Sequence, residues 1–269
     1  MLAVRLRAAG CVFAEEEAAL LLSAASGPAL ALLVDRRVAG EPLEHLLGWA
    51  SFSGLRVAVG PGVFVPRRRS ELLVRLAVES VHDRVVVRAG TRAAPSPRTT
   101  GPVVVDLCCG SGAIGAAVAA ALPDAEVWAA DVDPVAVAYA RRNLPPERVV
   151  LGDLHAALPD RLRGSVDVLV VNAPYVPTDA IATMPPEARE HEPRMALDGG
   201  ADGIDLHRRV AAGAGDWLGP GGTLLLETSR TQAGLTVAAC RAAGLATCVE
   251  TEDDLDATAV RASRVTPGQ

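Results

Sequence analysis

The chain contains no lysine: all 26 of its basic residues are arginine. With the high alanine content, that reads as the coding bias of a GC-rich genome rather than as a functional signal. Aromatic residues make up only 3% of the 269, so a core has to be built mainly from Ala, Val and Leu. Apolar residues reach 50%, enough for one large domain or one domain with a small appendage. The five cysteines (Cys11, Cys108, Cys109, Cys240, Cys248) are odd in number and show no C-x-x-C spacing. That argues against a disulfide framework or a zinc site and fits a reducing cytosol. The histidines form no H-E-x-x-H pattern, and no metal site is expected. No apolar run is long enough to span a bilayer. The one near Leu20 is interrupted by Ser and Pro, and Glu15-Glu16-Glu17 before it is the wrong flank for a signal peptide. A cytoplasmic chain without membrane association is expected. The net charge of −6 offers no global basic surface for a nucleic acid, leaving at most a local arginine patch.

The pattern along the chain divides it into four parts. Residues 1–47 read as a short helical domain, with helices at 15–22 and 30–37 separated by Gly27-Pro28 and ended by Gly40. Residues 48–87 hold a hairpin, from the alternation Leu55, Val57, Val59, and then a helix over 71–81 capped by Ser70. Residues 88–102, rich in Gly, Pro, Ser and Thr, read as a flexible linker. Residues 103–269 alternate strands (103–107, 126–131, 148–151, 166–171, 223–227) with helices (112–122, 134–143 capped by Asp133, and 206–218). Such alternation with nearly continuous apolar strands argues an α/β fold, its parallel sheet covered on both faces. Ligands of such folds sit beyond the carboxyl ends of the strands.

Two motifs fall at those ends. The first is Asp106-Leu107-Cys108-Cys109-Gly110-Ser111-Gly112, where a strand becomes a helix. Glycines there let a ligand approach the backbone and the helix N-terminus. Gly110-x-Gly112-x-x-Gly115 also matches a dinucleotide fingerprint. Asp106 shifts the balance, because a carboxylate before the loop suits the cationic amino group of S-adenosylmethionine better than a pyrophosphate. Asp131, ending the next strand, can accept from both ribose hydroxyls of either cofactor. Asp153, followed by Leu154, is placed to face an adenine amino group. The plainer reading of these aspartates is loop and capping residues, and Cys108 and Cys109 then simply fill small positions in the turn.

The second motif is Asn172-Ala173-Pro174-Tyr175, directly after the apolar strand 166–171. Alone it is an ordinary turn. Beside a cofactor loop it presents the Asn172 side-chain oxygen and a neighbouring backbone carbonyl, two acceptors next to an aromatic face. That suits a planar NH2 group and points to methyl transfer onto an amide or amino nitrogen. Glu190-His191-Glu192 reads as a solvated loop rather than a metal pair. The run Arg67–Arg69 is either a solvated charge run or a docking patch for an acidic or RNA-associated partner.

Together these residues make the chain resemble the protein glutamine-N5 methyltransferases of the PrmC/HemK type, which act on peptide-chain release factors. Further pieces carry the resemblance: residues 41–48 (EPLEHLLG), residues 61–67 (PGVFVPR) with Ser70-Glu71, and Glu192-Pro193, Ala196-Leu197, Gly199-Gly200 and Asp202-Gly203. It implies a class I S-adenosylmethionine-dependent methyltransferase fold. That fold is a Rossmann-like seven-stranded sheet with a final hairpin, here at 246–250 and 257–262, joined by a linking hairpin to a small helical domain. It also implies that Asp106 to Gly112 and Asp131 hold S-adenosylmethionine. By the same resemblance Asn172 and the Ala173 carbonyl grip a glutamine amide, and Pro174 and Tyr175 shape its slot. The chain departs from the family at Ala173, where the usual motif has proline, and at Arg68-Arg69, where it has a proline and an acid. Its helical part is also shorter. These departures leave the chemistry standing and the identity of the protein substrate open. Two other readings remain: a nucleic-acid adenine-N6 or cytosine-N4 amino-methyltransferase, and a degenerate cofactor-binding interaction protein.

Overall fold

The computed structural model describes residues 1–90 and 101–264. Four helices open the chain: α1 (Leu2–Ala8), α2 (Ala14–Ala24), α3 (Gly27–Val38) and α4 (Leu43–Leu47). They enclose a small core of their own around Leu6, Leu21, Val34 and Leu43. Gly48, at φ +80°, ends α4 in the left-handed conformation that glycine adopts at little cost. The expected hairpin follows as antiparallel β1 (Trp49–Phe52) and β2 (Leu55–Ala58). Its two-residue turn, Ser53-Gly54, has positive φ at both positions, which matches the twist of the strands.

Helix α5 (Glu71–Gly90) runs past the expected linker start at residue 88, and residues 91–100 of that linker lie outside the described residues. Ser70 does not behave as a simple cap. It sits buried in a 3-10 turn (Arg68–Ser70), and its hydroxyl bonds a side chain across the molecule.

The remainder folds as expected into alternating elements. In chain order they are β3 (Val103–Leu107), α6 (Ala113–Ala121), β4 (Glu126–Asp131), α7 (Pro134–Asn143), β5 (Val149–Leu151), β6 (Val166–Val171), α8 (Pro186–His191), α9 (Asp205–Trp217), β7 (Leu218–Glu227), α10 (Ala233–Ala242), β8 (Leu245–Glu252) and β9 (Ala257–Arg264). The sheet is seven-stranded, in the order β5-β4-β3-β6-β7-β9-β8, and β9 runs opposite to the other six strands. Alternate residues of β3 and β6 enter two separate cores. Val104, Val168 and Val170 face α5, α6 and α7, while Val105, Leu107, Leu169 and Val171 face α9 and α10. Burial on both faces is why these strands are continuously apolar.

Within β6 one charge is buried. Asp167 accepts from the Val103 backbone N–H at 2.8 Å and pairs with Arg84 of α5 at 2.8 Å, so it ties two elements together and is compensated. Two differences from expectation stand out. Strand β7 begins at Leu218, because Gly-Pro-Gly-Gly (219–222) stays in the strand across an irregular register against β6. Helix α10 was not foreseen. Its sequence, AGLTVAACRA, has one charged residue and no polar stripe, and it is helical through packing on α9 and β8.

Candidate active site

A cavity of about 540 Å³ opens at the carboxyl ends of the strands, where β3 has β4 on one side and β6 on the other. This is the switch point at which open α/β sheets bind ligands. Both sequence motifs converge on it.

At one end stands Asp131, the last residue of β4. Its Oδ2 accepts the Gly110 backbone N–H at 2.8 Å and its Oδ1 that of Asp133 at 2.9 Å. Burial raises its pKa and the backbone donors oppose that rise. The carboxylate therefore clamps the loop after β3 to β4 and keeps lone pairs for a ligand. Cys108, Gly110 and Ser111 line the same wall. Gly112 takes φ +75°, and a Cβ there would lie 3.2 Å from Ala140 Cβ, so the loop lies close against α7. Asn143 holds the loop from behind: its Nδ2 donates to the Ser111 carbonyl at 2.8 Å and to the Ala58 carbonyl at 3.0 Å. Burial pushes the thiols of Cys108 and Cys109 well above their ordinary range, which makes them space-filling groups rather than nucleophiles.

The structure relocates three expected cofactor residues. Asp106 and Gly112 do not line the cavity. Asp106 lies beneath the loop, 1% exposed, with Oδ2 accepting from the Gly115 N–H at 2.9 Å. Its Oδ1 has no partner among the described residues, and burial lifts its pKa to about 7. Through that bond the side chain turns toward the start of α6. Asp153 lines the cavity at its rim and is paired there with Arg209 at 2.6 Å, both half exposed, rather than standing free for an adenine. Leu154 beside it is buried at φ +48° and also lines the cavity.

At the other end Asn172, Ala173, Pro174 and Tyr175 lie together as expected. The Asn172 Nδ2 donates to Ser70 Oγ at 3.0 Å, and Ala173 is 1% exposed. The Tyr175 hydroxyl donates to Glu227 Oε1 at 3.2 Å. Burial, with Glu227 alongside, raises the Tyr175 pKa above its ordinary value.

Sequence reasoning passed over Glu227 as a site residue. It ends β7 at the same edge of the sheet as Asp131 ends β4, and that shared position was the signal available. It is 3% exposed and lines the cavity, and its Oε2 has no partner among the described residues. Burial raises its pKa, while Ser70, Tyr175 and Arg69 favour its charge. Glu192 was likewise missed as a structural anchor. Its Oε1 accepts the Val65 N–H at 3.2 Å and an Arg67 N–H at 2.6 Å, which closes the segment around 176–197 over the cavity. No group of His, Cys, Asp and Glu among the described residues could hold a metal ion. No described helix is long and apolar enough to cross a membrane.

A strand-end acid with a left-handed glycine loop suits a nucleoside with free hydroxyls, and a carboxamide turn beside an aromatic suits an NH2 group. Residues 94–187 match the family model "Methyltransferase small domain". The chain is 42% identical over 204 residues to a release factor glutamine methyltransferase of Streptomyces coelicolor, covering 75% of this chain and 68% of that protein. It is 38% identical over 213 residues to a 4-amino-L-phenylalanine/4-methylamino-L-phenylalanine methyltransferase of Streptomyces pristinaespiralis, covering 78% and 69%. The fold is shared with a methyltransferase of Pyrococcus furiosus (TM-score 0.51, 18% identity, 79% of this chain and 90% of that one).

Proposed function

We propose, because this chain belongs to the release factor glutamine methyltransferase family, that it methylates the side-chain amide nitrogen of a glutamine in a protein, a peptide-chain release factor being the first candidate. The observation that carries this reading is one cavity holding both the Asp131 clamp and the Asn172–Tyr175 slot. The enzyme uses S-adenosylmethionine, which when bound supplies an electrophilic methyl group. Asp131 and the loop 108–111 are the residues placed to hold it, because the carboxylate keeps lone pairs for ribose hydroxyls and the loop backbone is open to close approach.

The protein's own part is positioning. An amide nitrogen is a poor nucleophile because its lone pair is delocalised into the carbonyl. The Asn172 side-chain oxygen and the Ala173 carbonyl accept its two N–H bonds and aim the nitrogen. The same acceptors stabilise the charge that grows on it as the nitrogen–carbon bond forms. One proton then leaves the nitrogen for water. Alignment of this kind supplies about 7–11 kcal/mol in favourable cases.

The test uses radiolabelled S-adenosylmethionine with separate pools of release factors, other proteins, free amino acids and RNA, and mass spectrometry to locate the methyl group. Label on a release-factor glutamine, lost in Asn172→Ala while S-adenosylhomocysteine still binds, supports the proposal. Label only on RNA, or none anywhere, sinks it.

One observation favours a second reading, a free amino acid carrying an amine or amide. Arg69 lines the cavity near Tyr175, where the family motif has an acid, and a guanidinium there can take a substrate carboxylate. The similarity to the 4-amino-L-phenylalanine methyltransferase points the same way. In that case Arg69→Ala raises the KM for the free amino acid at least about tenfold, the scale of one lost charge-assisted bond.

A further inference from the structure

We propose that Gln232 is a positioning residue: its carboxamide ties the Asn172–Tyr175 turn to the loop 199–203 and so fixes the shape of the substrate slot. The proposal deepens the reading above and rests on it for the chemistry done in that slot.

The turn has to be held from outside. It begins where β6 leaves the sheet after Val171, and pairing resumes only at Val176, whose N–H donates to the Leu197 carbonyl at 3.0 Å. Among the described residues, no hydrogen bond joins the backbone of residues 172–175 to another backbone group. Pro174 fixes its own φ, but Ala173, whose carbonyl is one of the two acceptors, has no ring to do so. The place of that carbonyl therefore depends on how the two ends of the turn are anchored.

At the far end the anchor is Gln232, immediately before α10. Its Nε2 donates to the Tyr175 backbone carbonyl at 2.8 Å and to the Asp202 carbonyl at 3.0 Å. Backbone carbonyls only accept, so both donors of the amide are committed and their partners fix its orientation. The other end of the amide agrees, since Oε1 accepts from the Ser229 hydroxyl at 2.5 Å. A flipped amide would set Oε1 against two carbonyl oxygens at once.

The loop that shares the clamp lies hard against the turn. Gly203 is buried at φ +80°, and a Cβ there would stand 2.2 Å from Gln232 Nε2 and 2.4 Å from the Tyr175 carbonyl oxygen. A Cβ at Gly199 would stand 2.8 Å from the Pro174 carbonyl oxygen. Backbone meets backbone along this side, and Gln232 bridges the two. Gln232 does not line the cavity, whereas Asn172, Ala173, Pro174 and Tyr175 all do, so it acts on a substrate only through the turn.

The experiment compares the full chain with Gln232→Met, which keeps the bulk and loses both donors, and Ser229→Ala, which keeps the donors and frees their orientation. Steady-state methylation of whichever NH2-bearing substrate takes the label is measured well below each variant's melting temperature. Gln232→Met lowers kcat roughly 10- to 100-fold, the scale of a misplaced reacting group. Its KM and its affinity for S-adenosylhomocysteine stay within about threefold, as expected when an interaction is lost mainly in the transition state. Ser229→Ala lowers kcat at least about threefold, a smaller loss because both donors remain. The second readout is fluorine NMR of the S-adenosylhomocysteine complex labelled with fluorotyrosine. The chain has two tyrosines, Tyr139 and Tyr175, and Tyr139→Phe assigns their signals. In Gln232→Met the Tyr175 signal shifts or broadens while the Tyr139 signal stays, a pattern that a general loss of stability does not produce.

A kcat within about threefold of the parent in Gln232→Met, an unmoved Tyr175 signal, or a loss of S-adenosylhomocysteine affinity as large as the loss in kcat overturns the proposal. If Gln232→Met fails to fold, Ser229→Ala carries the same test, and a parental kcat or a parental Tyr175 signal in it is a refutation. Because the fluorine readout needs no methyl acceptor, the expected shift in a chain that methylates nothing would refute the functional reading and leave the clamp supported.

Discussion

Asp131→Asn is the sharpest probe of the cofactor end, because nearly isosteric atoms replace a carboxylate whose two oxygens have known duties. One takes the Gly110 N–H at 2.8 Å and the other the Asp133 N–H at 2.9 Å. In the asparagine one of these oxygens becomes an NH2 group facing a backbone N–H. One buried donor is left without an acceptor, which costs about 1–3 kcal/mol. That cost falls on the free protein and should lower its melting temperature. A second cost falls on ligand binding. The remaining oxygen is neutral, so bonds to ribose hydroxyls drop from the charge-assisted range of about 1.5–3 kcal/mol to the neutral range of about 0.5–1.5. For two hydroxyls the difference is about 2–3 kcal/mol, or roughly 30- to 150-fold in affinity. Calorimetric titration with S-adenosylhomocysteine measures it without any methyl acceptor. The pH should be held near 8, because burial raises the Asp131 pKa and the comparison needs the ionised parent. An affinity within about threefold of the parent, from a variant that melts lower as expected, would show that Asp131 clamps the loop but does not hold the ligand.

Three further outcomes follow from packing and charge. Leu169→Ala in β6, at 0% exposure on the α9–α10 face, should lower stability by about 2–5 kcal/mol in urea titration; a loss below about 1 kcal/mol would mean the strand is not fixed between two cores. Arg37→Met should cost about 3–5 kcal/mol in the same titration, because the Arg37 side chain, 10% exposed, bridges Glu17 of α2 at 2.7 Å and Glu187 of α8 at 2.9 Å, and Glu17 would remain buried without its partner. Asp106→Asn should flatten the pH dependence of the ligand-free protein. Its folded pKa of about 7 lies above the unfolded value of 3.8, so the folded state holds the extra proton and stability falls as pH rises through that window. Melts near pH 5 and pH 8 check this, and an unchanged difference between the two in the variant would remove Asp106 as the group responsible.

What was legible in the sequence was what a short window of chain decides. β3 and β6 were readable because burial on both faces makes their residues uniformly apolar. The Asp133 cap and the Ser53-Gly54 hairpin were readable because their hydrogen bonds close within a few residues. Asn172–Tyr175 could be placed at the cavity because a turn at the end of a central strand opens beyond the carboxyl ends of the sheet. Asp106 shows where this stops: its position at the strand end was foreseen, but the rotation that buries it under the loop comes from its bond to Gly115. The second layer of the site has no local trace, since Ser70 meets Asn172 across 102 positions, Ala58 meets Asn143 across 85, and Val65 meets Glu192 across 127. Each of these bonds joins the segment before α5, or the hairpin, to the turn after β6, the end of α7 or the end of α8. The segment before α5 and the hairpin are therefore part of the site's construction, and a chain beginning at residue 103 would keep the two motifs but lose Ser70, which holds Asn172, and Ala58, which holds the Asn143 that fixes the loop at Ser111.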